Sequence, residues 1–374
     1  MSFIFGSNQE GIDKKQMRRI TAILMGIMIS SCIIGCGADS VAEKTTTGVE
    51  STISSKVESW KPEDGYIAKS ERIDSAAFLE EANTEFELSV PTYVTKLDGN
   101  WFIVDCYHDR IIYNDNLESP INEWKVLTTD VRQPHTMAGD GTVILVDDTE
   151  NNRVLVFERQ EGSYVNTQLF NNIGNRPHYT VYDENAGAFY VWSSTTGEMY
   201  VFRHEEAASE VYLTEIRKVH DDENSLLDGT YVRSFYLDED EIYFVSGIRS
   251  DGMASGIIIC DKDTLKIKEK IDVPDSLAGM VALYRDGEYF YITVSTDISG
   301  NQDAATMIRT KNLKGLINGD YEDIYSKYFI GGGTPYNVTK IDDIYYLTEH
   351  RLPGHSVWSY RIENDEIVDV KAVY

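Results

Sequence analysis

Cysteine is scarce: the chain has four in 374 residues, and only Cys106 and Cys260 lie beyond the first 36. Hydrophobic residues make up 42%, so a sizeable core can form without disulfides. Positive charge is short as well, with 34 Lys and Arg against 62 Asp and Glu and a formal net charge of −28. The first 36 residues are net basic (Glu10 and Asp13 against Lys14, Lys15, Arg18 and Arg19), so the remainder is more acidic still. A surface of that sign repels phosphate backbones, which argues against a nucleic-acid partner. Long apolar runs are missing too. The segment from Ile20 to Ile29 is too short and too soon interrupted to read as a membrane span. No P-loop, nucleophile elbow, zincin helix or dinucleotide fingerprint occurs.

What the amino terminus does carry is an export pattern. Lys14, Lys15, Arg18 and Arg19 precede the apolar run, small residues follow, and then Ile33-Ile34-Gly35-Cys36. A basic region, an apolar region and a small-residue site make a secretory signal. The Cys after Ile-Ile-Gly resembles the lipobox of bacterial lipoproteins. That resemblance implies cleavage before Cys36, a diacylglycerol on its sulfur, and an extracytoplasmic protein anchored to the cell membrane. Two acyl chains suffice for stable anchoring. An ordinary cleaved signal is the alternative, Ile29-Ser30-Ser31-Cys32 is a weaker second lipobox, and Met17 is an alternative start. Residues 1–36 are therefore read as a lipoprotein signal. Residues 37–65, rich in Ser, Thr, Glu, Lys and Gly, are read as a disordered tether. Residues 66–90 form a lead-in, with a short helix expected within 70–82 and a strand at 84–89 available to close a ring.

From Pro91 to Tyr374 the chain repeats. Pro134 to Phe157 shows the unit best: a strand, a tight turn at Asp140-Gly141, a second strand, a polar loop and a third strand. Pro91, Pro134 and Pro177 recur at a spacing of 43 residues. Arg110 and Arg153 stand nineteen positions after the first two of these prolines, and the second strands are read as ending at Asp105 and Asp147. Units four and five are degenerate. Unit six returns to type, Pro335-Tyr-Asn-Val-Thr-Lys-Ile-Asp-Asp echoing Pro91-Thr-Tyr-Val-Thr-Lys-Leu-Asp-Gly. Six units of four short antiparallel strands predict an all-β, six-bladed β-propeller over 91–374, because one such sheet has two apolar faces and only neighbouring sheets can bury both. A pair of β-sandwiches is the rival, and it does not explain turn chemistry recurring at fixed offsets.

Gly141–Phe157, with Asp147, Asn152, Arg153 and Val154, resembles an NHL repeat. The first unit matches through Asp105, Arg110 and Ile111, and the later units do not carry the motif. The resemblance implies a six-bladed propeller and no single activity, since this fold carries lactonases, lyases and binding modules alike.

Ligand sites on propellers lie at the rim formed by the entries to the inner strands and the hairpins after the second strands. The candidate ligand-binding residues there are Tyr93, His135, His178, Trp192, Arg233, Tyr336 and Glu349. Aromatic, His and Arg side chains suit sugars or amphiphilic small molecules. His135 and His178 are expected to cap their Pro-led turns, Asp105 and Asp147 to bond backbone N–H groups of the following hairpin, and Arg153 to lie near Asp147. No metal and no cofactor is called for, and no catalytic residue stands out. The reading is an extracytoplasmic binding or scaffold lipoprotein whose ligand is a small molecule, a glycan or an envelope protein. The alternatives are a carbohydrate- or lactone-active enzyme, metal-dependent or not, and a structural partner in an envelope complex. Cys106 and Cys260, placed on opposite blades, are expected to be free thiols.

Overall fold

A computed structural model describes residues 59–73, 82–206, 208–221, 231–247 and 255–374. Cys36, Cys32 and most of the tether lie outside these residues, as does most of the expected helix at 70–82. The described chain folds into six antiparallel sheets, each a meander of four consecutive strands. Blade 1 is Pro91–Leu97, Asn100–Asp105, Arg110–Asn114 and Lys125–Thr128. Blade 2 is Met137–Gly139, Val143–Asp148, Arg153–Gln160 and Ser163–Asn171. Blade 3 is Pro177–Asp183, Ala188–Ser193, Glu198–His204 and Val211–Lys218. Blade 4 is Val232–Leu237, Glu241–Ser246, Gly256–Asp261 and Ile267–Asp272. Blade 5 is Met280–Asp286, Tyr289–Val294, Thr306–Thr310 and Glu322–Asp323. Blade 6 is Thr334–Ile341, Ile344–His350, Val357–Glu363 and Glu366–Ala372.

The strands form where β-branched and aromatic residues run between Gly, Asn and Asp turns. At the turn of blade 2, Asp140 Oδ1 accepts from the backbone N–H of Thr142 and Val143, both at 2.9 Å, and Gly141 takes φ 92°. Second strands such as Val143–Asp148 and Ala188–Ser193 are buried along their whole length, so both faces of the sheet must be covered. The apolar core is accordingly divided into wedges between neighbouring blades. Phe102, Ile111, Met137 and Leu155 fill the space between blades 1 and 2. Val94, Ile103 and Trp124 meet Tyr346 and Val357 between blades 1 and 6, which closes the ring.

Closure is by the carboxy-terminal strand, Glu366–Ala372, which completes blade 6 on its own. Tyr374 then crosses to blade 1. Its hydroxyl donates to Ser119 O at 2.5 Å and accepts from Trp124 Nε1 at 3.0 Å, while its carbonyl accepts from Ser356 N at 2.6 Å. Residues 84–89 form no strand. The lead-in pairs elsewhere: Ala68–Lys69 adds a fifth strand to blade 3, and Glu71–Arg72 adds one to blade 2. The last residues of the segment read as tether are seated too, with the Trp60 ring 5.4 Å from that of Tyr212 on blade 3.

Candidate functional site

The channel wall is set by one irregularity repeated around the ring. In blades 1, 3, 4, 5 and 6 the pairing of inner and second strand slips by one residue, and the bulged residue is Thr92, His178, Arg233, Val281 or Tyr336. In blade 2 the equivalent, His135, stands just ahead of the strand that begins at Met137. A bulge takes one residue out of the ladder and re-aims it. The freed carbonyls are taken up by the neighbouring blade. Thr92 Oγ1 donates to His135 O (2.9 Å), His178 Nδ1 to Arg233 O (2.9 Å) and Ser234 Oγ to Val281 O (2.6 Å). Thr293 Oγ1 donates to Tyr336 O (2.6 Å) and Thr348 Oγ1 to Thr92 O (3.2 Å). Between blades 2 and 3 the bond runs one residue earlier, from Thr149 Oγ1 to Pro177 O at 2.8 Å. Every blade junction is thus stitched beside the channel.

The same bulges bring ring side chains together at one end. His135 and His178 stack with centroids 3.8 Å apart, Tyr336 lies 6.3 Å from His135 and stacks on His350 at 4.9 Å, and Tyr231 meets His178 edge-on at 5.8 Å. Arg233 lies over the Tyr231 ring at 5.5 Å and donates from Nη1 to Ser295 Oγ at 2.7 Å. Beneath them is a cavity of about 10 Å³ lined by His135, His178, Arg233, Tyr336 and Asn337 among others. That is room for about one water molecule. The rim is therefore a ring-paved floor rather than the mouth of a deep pocket.

Burial dominates the electrostatics of this floor. It pushes His135 down to about 3 and His350 to about 4, and it holds His178 well below the usual imidazole range. The positive charges of Arg176 and Arg233 press His135 and His178 the same way. Asp147, fully buried, is pushed up to about 7 by desolvation, although the backbone N–H of His135 (2.8 Å) and of Thr136 (2.9 Å) and the Thr136 hydroxyl (2.5 Å) all bond to it.

Of the seven residues expected at the rim, His135, His178, Arg233 and Tyr336 line the cavity together. Trp192 does not belong there. It is fully buried, packs on Phe244 at 4.5 Å and donates from Nε1 to Val232 O at 3.0 Å. Glu349 does not belong there either. It is fully buried under the entry to blade 6, where Tyr325 donates its hydroxyl at 2.6 Å. The reasons differ: Trp192 faces the apolar wedge between blades 3 and 4, whereas Glu349 lies against the Gly333 turn that leads into its own blade's inner strand. Tyr93 sits on the inner strand of blade 1, its phenol pushed up to about 12 by burial, and does not line the cavity.

The aspartates correct a repeat alignment. Asp105 matches Asp148, not Asp147: each precedes by five residues the arginine it binds, Arg110 (Nε 2.8 Å) and Arg153. Each also accepts the backbone N–H of the preceding entry loop rather than the following hairpin, Ser89 for Asp105 (2.6 Å) and Arg132 for Asp148 (2.7 Å). The histidines brace blades: His178 bonds the next blade, and His135 Nδ1 bonds Thr149 Oγ1 of its own blade at 2.8 Å. Sequence reasoning missed Tyr231 and His350. Their signal was adjacency, since Tyr231 lies two residues before Arg233 and His350 directly follows Glu349. Among the described residues no group of three His, Cys, Asp or Glu is arranged to hold a metal ion.

No protein-family model matches the chain, and no curated protein matches it. Solved structures do. A provisionally named 6-phosphogluconolactonase of Bacteroides uniformis superposes with TM-score 0.53 at 14% identity, over 76% of this chain and 85% of that one. A second, from Bacteroides fragilis, does so with TM-score 0.53 at 14% identity, over 77% and 85%. At such identity the likeness shows a shared β-propeller fold.

Proposed function

We propose that this chain is an extracytoplasmic binding or scaffold lipoprotein, anchored through Cys36, that recognises a carbohydrate or another small molecule at the propeller rim. The lipobox supports the address. The observation that carries the binding role is the ring cluster at this end of the channel: the buried His135–His178 stack and the partly exposed Tyr336–His350 stack meet beside the partly buried Arg233 guanidinium. Ring faces with a polar group at their edge suit sugars and other amphiphilic ligands. With a cavity this small, the body of the ligand would lie over the rings and not inside the cavity.

An enzyme acting on a carbohydrate or lactone would use the same rim. It is the weaker reading, because an imidazole pushed down to about 3 accepts protons poorly at neutral pH. The test is calorimetry of the full chain in detergent against a panel of sugars, sugar acids and lactones. At least one compound should bind the wild type and bind Tyr336→Ala at least tenfold more weakly. Equal binding by both proteins rejects the rim.

A further inference from the structure

We propose that the rim ligand is an anion, and that Arg233 holds its carboxylate or phosphate group; this rests on the rim being the recognition site. In so acidic a chain, buried arginines find counter-charges. Among the described residues, every other arginine that is buried or partly buried has a carboxylate partner: Arg110 with Asp105, Arg153 with Asp148, Arg176 with Glu150, Arg203 and Arg217 with Glu215, and Arg309 with Glu322. Arg233 is partly buried and has none among the described residues; its bonded contact is the neutral Ser295 hydroxyl. Leaving a guanidinium half-desolvated without an anion is unfavourable, and a bound oxyanion removes that cost.

A second observation points to the same place. Asn337, 3% exposed, lines the cavity beside Arg233; the Tyr179 phenol can take one proton of its amide, and the second Nδ2 proton has no acceptor among the described residues. A buried amide donor is rarely left unmet. A cavity of about 10 Å³ admits one small group, such as a single oxygen of a carboxylate or phosphate, with Arg233 at the wall to bind the rest of that group. The ligand class is a small organic acid or phosphate monoester whose body lies over the His135 and Tyr336 rings.

Arg233 can be read directly, without a variant. The full chain in detergent is treated with phenylglyoxal, and labelling is mapped by mass spectrometry with Arg159, which is exposed, as internal reference. Inorganic phosphate or acetate is compared with chloride at equal ionic strength. Arg233 should label in chloride and slow about tenfold when the anion stands at ten times its dissociation constant, while Arg159 is unaffected. Labelling of Arg233 at one rate in all three salts overturns the anion inference and leaves a rim for neutral ligands standing. No labelling of Arg233 while Arg159 reacts means the guanidinium is already covered, and the rim reading falls with it.

Discussion

The imidazoles of His135 and His178 lie 3.8 Å apart, inclined by 27°, and each is held through Nδ1. His135 Nδ1 bonds Thr149 Oγ1, whose hydroxyl also stands within bonding reach of Pro177 O and of Asp147 Oδ1. His178 donates from Nδ1 to Arg233 O and accepts at Nε2 from Tyr231 (3.1 Å). Two neutral rings can stack this closely, whereas two imidazolium ions would repel.

Acid sensitivity follows. A histidine whose folded pKa is depressed supports the fold fully above its unfolded value of 6.5 and loses that support as pH falls toward the folded value. His135, His178 and His350 all act in this direction, each with a slope of up to about 1.4 kcal/mol per pH unit. Asp147, raised to about 7, opposes them, favouring the fold at low pH and losing that contribution as pH rises from 3.8 to about 7. His204 and Glu349, both raised, oppose the three imidazoles as well. The carboxylates held low, Asp140, Glu198, Glu215 and Glu322, add to the acid loss. The urea midpoint should therefore fall as pH drops from 6.5 toward about 3. The imidazole C–H resonances of the three should stay flat from pH 8 to about 5 in an NMR titration. Ordinary titration near 6.5 would contradict the buried array.

Removing Tyr374 should open the ring closure. Its bonds to Ser119, Trp124 and Ser356 tie blade 6 to blade 1 and to its own third strand. A loss of about 2–4 kcal/mol in urea unfolding is expected, from one buried ring contact and its hydrogen bonds. An unchanged midpoint would show that the apolar wedge alone closes the ring.

Arg110→Ala and Arg153→Ala should differ, though they look alike in sequence. Arg110 is 3% exposed and its partner Asp105 is fully buried, so removing it strands a carboxylate at a cost of about 3–5 kcal/mol. Asp148, the partner of Arg153, is also fully buried, but it keeps bonds from the Arg132 backbone N–H and the Asn151 amide, and Arg153 is itself more exposed, with its second partner Asp130 at the surface. The loss there should be smaller. Equal midpoints in urea would reject this ranking.

The contrast marks where reading the sequence stopped. Blade number and strand order were legible because turn residues and apolar runs recur at a spacing of 43 residues in the first three units and return to type in the sixth. The bulges were not: a one-residue slip leaves no mark in a periodic pattern, yet it decides that His178, Arg233 and Tyr336 share one floor. The same one-residue ambiguity matched Asp105 to Asp147 instead of Asp148. Trp192 and Glu349 fell at the right repeat position, but the pattern holds no trace of the blade 4 core that takes in Trp192 or of the Gly333 turn that covers Glu349. Arg233 and Tyr336 could be found because the repeat places them at the entries to inner strands.

The two cysteines of the propeller are free, as their placement on blades 1 and 4 requires. Both are buried, and burial raises both thiols, Cys260 to about 12. Neither should react with a thiol reagent in the native state, and both should in denaturant without reductant. For the proposed anchor, Cys36→Ser should abolish incorporation of labelled fatty acid. Undiminished labelling would move the anchor to Cys32 or remove it.

Recognition at the rim is tested most directly by hydrogen–deuterium exchange of the full chain, with and without the tightest-binding compound of the panel. Slowed exchange is predicted for the amides of 134–137, 177–180, 231–235 and 334–338, the segments that carry the floor. Protection confined to another site, such as the polar groove of Trp60, Arg203 and Glu215 at blade 3, would contradict it.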